Sequence, residues 1–281
     1  MFFKMYQQLC ISGGGIKGFQ ILGTLSYINN NIYELSNITN YVGTSVGSIL
    51  CYLLCIGYTP LEIMTKVFND DNLNKFSTIP DIIKFTNEGG CFSFSSIADT
   101  LENLTLDKID KFHTLSSLYN ELGKKLTIVT YNFSKKQSEF LTYENNPDIP
   151  CLIALQMSST IPIVFPPFYY NDNIYVDGGL VYNLPIDVIN NELKTITIST
   201  NPSENINNDN KFNLFSYILD ILLITNVELQ KFHIEKSKKI KNNKLIILSY
   251  YDGAFFDFSI DKSKKIDLFL LGYMETIKEF K

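Results

Sequence analysis

Residues 39–54 hold the strongest constraint in this sequence. A short apolar run, Thr39 to Val42, breaks at Gly43-Thr44-Ser45-Val46-Gly47, and the chain continues to Leu54 as a stretch of helical length that is apolar nearly all round. A helix with no polar face has to be buried. A strand that passes through a glycine-flanked serine into such a helix is the setting in which G-x-S-x-G carries meaning. Gly43 and Gly47 are needed there, because a serine on so sharp a turn leaves no room for side chains beside it. Ser45 is therefore the candidate nucleophile.

Strands and helices alternate on both sides of this turn. Gln8 to Ser12 reads as a strand ended by Gly13-Gly14-Gly15, after which Phe19, Ile21, Leu22, Leu25 and Ile28 recur at helical spacing. Thr59-Pro60-Leu61-Glu62 carries a cap, a first-turn proline and a capping-box acid. From Asp70 to Phe94 the pattern is irregular, with a break at Gly89-Gly90, and predicts a loop with short helical turns of the kind that covers a cleft. Helices are expected at Ser96 to Leu104 and Leu115 to Leu122, then strands at Lys125 to Tyr131 and Glu139 to Tyr143. Cys151 to Ser158 predicts a helix, Ile174 to Val176 a strand ending in Asp177-Gly178-Gly179, and Leu193 to Thr200 a further strand. A polar linker (Asn201 to Asn210), an amphipathic helix (Phe212 to Lys236), a strand (Lys244 to Tyr250) and a helix (Ser263 to Phe280) complete the chain. This order predicts a three-layer α/β/α sandwich around a mostly parallel sheet.

Acyl transfer needs donors aimed at a developing oxyanion, and Gly13-Gly14-Gly15-Ile16-Lys17-Gly18 offers consecutive unobstructed N–H groups at a helix start. The same glycines also fit a dinucleotide cradle, but the next strand closes at Gly43-Thr44-Ser45 where a ribose-binding acid would be wanted. A serine hydroxyl requires a base, most often histidine. The two histidines are poorly placed: His113 precedes a helix and His233 lies inside a long one. Asp177, at a strand end before two glycines, can take the proton directly if geometry and partial desolvation compensate for its low intrinsic pKa.

Together these blocks resemble the patatin-like phospholipases, whose pattern is a glycine-rich loop with a basic residue near its end, a G-x-S-x-G elbow some 25 to 30 residues on, and a downstream D-G-[GA] turn. Gly13 to Gly18, Gly43 to Gly47 and Asp177-Gly178-Gly179 fall in that order. Ser158 to Pro167 and Tyr175 to Pro185 resemble the family blocks that flank the acid. The resemblance implies a Ser-Asp dyad, with Ser45 forming an acyl-enzyme, Asp177 as base, and Gly13, Gly14, Gly15, Lys17 and Gly18 as the oxyanion loop. It implies a patatin-like catalytic domain over residues 6–190; the residues after about 200 match no family block, and 191–281 are expected from their strand, long helix, strand and helix to continue the same α/β domain. The resemblance suggests acyl esters of phospholipids, lysophospholipids or neutral glycerolipids as substrate, and transient contact with a membrane surface. Ser45, Asp177 and His233 also satisfy the chain order of an α/β-hydrolase triad, and a catalytically silent lipid-binding protein is a further alternative. The triad is disfavoured because the elbow arrives after only two strands and His233 is mid-helix.

Composition narrows the remaining classes. With 24 basic against 29 acidic residues and no long basic block, nucleic acid is not an expected partner. Every basic residue is lysine, so a phosphate or carboxylate must be met by backbone N–H groups or by a point charge. Five scattered cysteines, Cys10, Cys51, Cys55, Cys91 and Cys151, predict free buried thiols in a reducing compartment. The N-terminus lacks a secretory pattern, and apolar runs of about eleven residues fall short of the roughly 20 that span a bilayer, so a soluble or peripherally attached cytoplasmic protein is expected. No acidic or Cys/His set has calcium or zinc spacing, and no cofactor or metal is expected. The aromatic stretches Phe92-Ser93-Phe94 and Phe165 to Tyr170 suit either a packed core or an acyl channel.

Overall fold

The computed structural model describes residues 6–70, 81–201, 214–249 and 261–281. Eight strands, β1 (Gln8–Ile11), β2 (Asn40–Thr44), β3 (Lys125–Asn132), β4 (Gln137–Leu141), β5 (Phe168–Tyr170), β6 (Asn173–Asp177), β7 (Thr195–Thr200) and β8 (Asn243–Leu248), form one sheet. Their order is β5-β6-β3-β2-β1-β7-β8, with β4 also pairing β3. The pairs β3–β2, β2–β1, β1–β7 and β7–β8 are parallel, whereas β4, β5 and β6 join antiparallel. The mixed α/β fold with a mostly parallel sheet is thus the one expected.

Side chains alternate across the sheet as a strand's two-residue period requires. Leu9, Ile11 and Tyr41 enter the larger core, while Cys10 and Val42 face a second cluster with Leu184, Ile186 and Ile234. Both faces are therefore covered. The helices are α1 (Gly18–Asn31), α2 (Val46–Cys55), α3 (Pro60–Phe68), α4 (Ile82–Glu88), α5 (Ser95–Ile109), α6 (Leu115–Leu122), α7 (Cys151–Ser159), α8 (Gly179–Tyr182), α9 (Leu214–Ser237) and α10 (Lys262–Phe280). The apolar helix after Ser45 is buried along nearly its whole length, with Leu50, Leu53 and Leu54 in the core. Each such leucine contributes about 1.5–3 kcal/mol by leaving water.

The capping box read at Thr59 is present: Glu62 N–H donates to Thr59 Oγ1 at 3.3 Å and Thr59 N–H donates to Glu62 Oε2 at 2.7 Å. α10 crosses α1 where glycines meet backbone. A Cβ on Gly23 would lie 1.9 Å from Phe269 O, and one on Gly272 would lie 1.9 Å from Gln20 O. That contact seats α1, whose first turn follows the glycine loop.

The strand β5 is absent from the sequence reading. Its three residues, Phe168-Tyr169-Tyr170, follow two prolines and are too few to show alternation, so only the pairing with β6 defines them. Residues 71–80 of the expected covering loop, the linker beyond Asn201, the start of the helix at Phe212 and the end of the strand at Tyr250 lie outside the described residues. The five cysteines are free and buried. Among the described residues, no single helix is long and apolar enough to cross a membrane.

Candidate active site

Ser45 sits between β2 and α2 with φ 53° and ψ −128°. Such a conformation costs a residue bearing a Cβ on the order of 1–3 kcal/mol, and persists only where its surroundings fix it. Here Ser48 Oγ donates to Ser45 O at 2.6 Å, and Ser45 N–H donates to Ser158 Oγ at 2.8 Å. Ser158 Oγ in turn donates to Val129 O at 2.6 Å, which ties the turn to β3. The two elbow glycines make room for this. A Cβ on Gly43 would stand 2.6 Å from Gly47 C, and one on Gly47 would stand 2.5 Å from Ile11 O and Ser12 O.

The register of β3 brings the acid to the serine. Thr44, the last residue of β2, pairs with Val129, and Asp177, the last residue of β6, pairs with Thr130. The two strand ends therefore meet at consecutive positions of β3, although 132 residues separate Ser45 from Asp177. Ser45 Oγ donates to Asp177 Oδ2 at 2.6 Å, and Gly179 N–H donates to Oδ1 at 2.6 Å. Asp177 N–H donates to Thr160 O at 2.8 Å, so the backbone is pinned as well. Gly178 is required by proximity, since its Cβ would lie 2.5 Å from Val129 O.

Ser45 and Asp177 are 6% and 4% exposed. Burial pushes the Asp177 carboxyl up to about 7, against the pull of the Ser45 hydroxyl and the Gly179 N–H. A carboxylate poised near neutrality, already bonded to a hydroxyl, is able to take that hydroxyl's proton as it attacks a carbonyl.

The glycine loop lies against the same serine: a Cβ on Gly13 would be 3.4 Å from Ser45 Cβ. Its donors are not equivalent. Gly13 N–H donates to Asn183 O, Lys17 N–H to Gly14 O, and Gly18 N–H to Gly15 O and Ile16 O. The N–H groups of Gly14 and Gly15 have no protein acceptor among the described residues, and Gly15 holds φ 51°, a left-handed conformation that favours glycine. Of the five loop positions singled out in the sequence, two thus present uncommitted N–H groups. Lys17 is buried, donates from Nζ to Asn201 O at 3.1 Å, and is brought down to about 8 by burial. Its side chain braces the loop against the end of β7.

Two cavities meet at Ser45. The larger, of about 160 Å³, is walled mainly by aliphatic residues of α1, α2, α3 and α5, including Leu22, Leu53, Ile63 and Leu104. The smaller, of about 20 Å³, is bounded by Gly14, Asp177, Gly179, Asn183, Leu223 and Asn226. They share only Ser45 and Ile161. Phe165 lines the larger cavity and packs edge-on against Phe94 at 5.2 Å. Phe168 and Tyr170 pack on the main core, and Tyr169 is exposed, so the aromatic stretches divide between wall, core and surface.

Neither histidine enters the site. His233 stacks on Tyr182 at 4.5 Å and makes no hydrogen bond to Ser45 or Asp177, whose bond is direct. His113 is buried near α6, with Nε2 at 3.5 Å from Glu121 Oε2. Sequence reasoning missed Ser158 as the support of the turn, Asn183 as the partner of Gly13, and Asn226, which donates from Nδ2 to Gly179 O. A lone Asn in the apolar run Leu222-Leu223-Ile224-Thr225-Asn226-Val227 is the signal that could have drawn attention to the last.

Among known proteins, the chain is 38% identical over 187 residues to a probable lipid hydrolase of Invertebrate iridescent virus 6, covering 66% of this chain and 63% of that protein's length. An uncharacterized protein of Acanthamoeba polyphaga mimivirus is 27% identical over 283 residues, covering 97% of this chain and 93% of that one. Calcium-independent phospholipase A2-gamma of Homo sapiens is 24% identical over 206 residues, covering 67% of this chain and 26% of that protein. VipD from Legionella pneumophila shares the fold, with a TM-score of 0.52 at 16% identity over 98% of this chain and 66% of that chain. Residues 9–189, more than half of the chain and the part that carries both the elbow and the acid turn, match the family model for patatin-like phospholipases, and the chain belongs to that family.

Proposed function

We propose that the protein is a lipid acyl hydrolase of the phospholipase A or lysophospholipase type, cleaving carboxylic esters of glycerolipids through a Ser45-Asp177 dyad. The observation that carries this reading is the direct 2.6 Å bond from Ser45 Oγ, at the tip of a strained strand-to-helix turn, to the buried carboxylate of Asp177. Asp177 takes the hydroxyl proton as Oγ attacks the ester carbonyl, then returns it to the leaving alcohol, which leaves an acyl chain on Ser45. The N–H groups of Gly14 and Gly15 receive the oxyanion, at the start of a helical segment whose dipole favours negative charge. The larger cavity takes the acyl chain, because its aliphatic wall begins at Ser45 and runs to Leu53 and Leu104. In this reading residues 6–190 supply the catalytic elements, and residues 191–281 complete the same unit through β7 and β8.

A phospholipid or lysophospholipid presented at a membrane surface is the substrate this reading favours, and the name of the viral relative, a probable lipid hydrolase, supports a lipid as substrate. The test is release of free fatty acid from mixed micelles of phosphatidylcholine and lysophosphatidylcholine in EDTA, comparing wild type with Ser45→Ala, Asp177→Asn and His233→Ala. Activity in wild type and His233→Ala, with loss in the other two, is expected. Loss in a folded His233→Ala would hand the chemistry to a triad, and activity in Ser45→Ala would end the proposal.

A further inference from the structure

The acyl-enzyme must be hydrolysed, and hydrolysis needs a water delivered from the side of Ser45 away from the acyl chain. The smaller cavity is on that side. Unlike the aliphatic cavity it contains Asp177, and its volume of about 20 Å³ exceeds the roughly 10–15 Å³ that one water requires.

Asn226 lies in this wall, on α9, beyond the residues matched by the family model. It is 9% exposed. Its orientation is fixed by chemistry: Gly179 O only accepts, so the Asn226 group bonded to it has to be the amide Nδ2. That leaves Oδ1 as an acceptor with no donor among the described residues, on a side chain that lines the cavity holding Asp177. The same Gly179 donates its N–H to Asp177 Oδ1, so Asn226 and Asp177 are held at a fixed separation through one residue.

We propose that this small cavity is the site of the deacylating water and that Asn226 orients it. This inference rests on the acyl-enzyme reading above. One water hydrogen bonds to the Asp177 carboxylate and the other to Asn226 Oδ1, which turns the oxygen lone pair toward the acyl carbonyl. The water oxygen bonds to the carbonyl carbon while its proton passes to Asp177. The tetrahedral intermediate then breaks its bond to Ser45 Oγ, Asp177 returns the proton to Oγ, and a carboxylic acid leaves.

A nitrophenyl ester separates the two half-reactions, since its good leaving group makes acylation fast. Rapid mixing reads acylation as a burst and deacylation as the steady rate, and intact mass reads the acyl adduct. Asn226→Leu removes the acceptor. Leu223→Phe fills the cavity from its wall and leaves the Asn226 bond to Gly179 in place. In both variants the burst rate is expected to stay within about threefold of wild type while the steady rate falls about tenfold or more and the adduct on Ser45 accumulates. Parallel loss of both rates in both variants, as for a mere brace of the acid turn, overturns the proposal, and so does an unchanged steady rate. If wild type forms no adduct, or Ser45→Ala releases nitrophenol equally well, the hydrolase reading itself fails and this inference falls with it.

Discussion

Replacing Asp177 with asparagine separates the stability cost of a buried acid from its chemistry. In the folded chain the carboxyl titrates at about 7, against 3.8 for an unperturbed group. Between those values the folded protein holds a proton that the unfolded chain has lost, so stability falls as pH rises through that window and the full penalty applies above it. About three pH units at about 1.4 kcal/mol each give a penalty on the order of 4 kcal/mol at pH 8, and none below about pH 4. Asparagine keeps both hydrogen bonds: its Oδ1 accepts from Gly179 N–H, and its Nδ2 donates to Ser45 Oγ, which changes from donor to acceptor. Urea unfolding of the two proteins at several values between pH 4 and pH 9 measures the difference, in which every other titrating group cancels. Asp177→Asn is expected to be inactive and more stable by roughly 2–4 kcal/mol at pH 8, with the gain vanishing toward pH 4. A gap that does not change with pH, or a variant less stable than wild type at pH 8, would refute the argument that desolvation dominates at this carboxyl.

In the proposed mechanism the same titration sets the rate, since Asp177 would act only when ionised: kcat/KM on a soluble ester is expected to rise with pH to a plateau above about 7, and a flat profile from pH 5 to 8 would contradict its role as base. Ser158→Ala leaves Ser45 N–H and Val129 O without that partner, which costs about 2–4 kcal/mol in thermal or urea unfolding and lowers kcat more than it raises KM. His233→Ala removes a ring stacked on Tyr182; activity within a few-fold of wild type is expected, together with a stability loss of about 1 kcal/mol measured by the same unfolding.

The local elements were legible because each is decided within a few residues. Gly43 to Gly47 led from a short strand into an apolar helix, Thr59 and Glu62 carried a helix start, and Gln8 to Ser12 ran into the glycine loop. β5 was not legible, since three residues have no period of their own and take strand conformation from β6. The candidate nucleophile and acid were visible as residue types at strand ends, but their meeting was not a property of either segment. It follows from β3, which pairs Thr44 and Asp177 at consecutive positions, and register is set by long-range pairing that a linear pattern does not encode. The glycine loop was likewise readable as a run of donors, whereas which of them are spent depended on Asn183, brought to Gly13 from 170 residues away. Ser158 opened a block that resembles the family and Asn226 stood alone in an apolar run, but neither pattern told what its side chain would hold. A hydroxyl or an amide acquires its role from the one acceptor or donor the folded chain places against it, and only the tertiary structure made those placements.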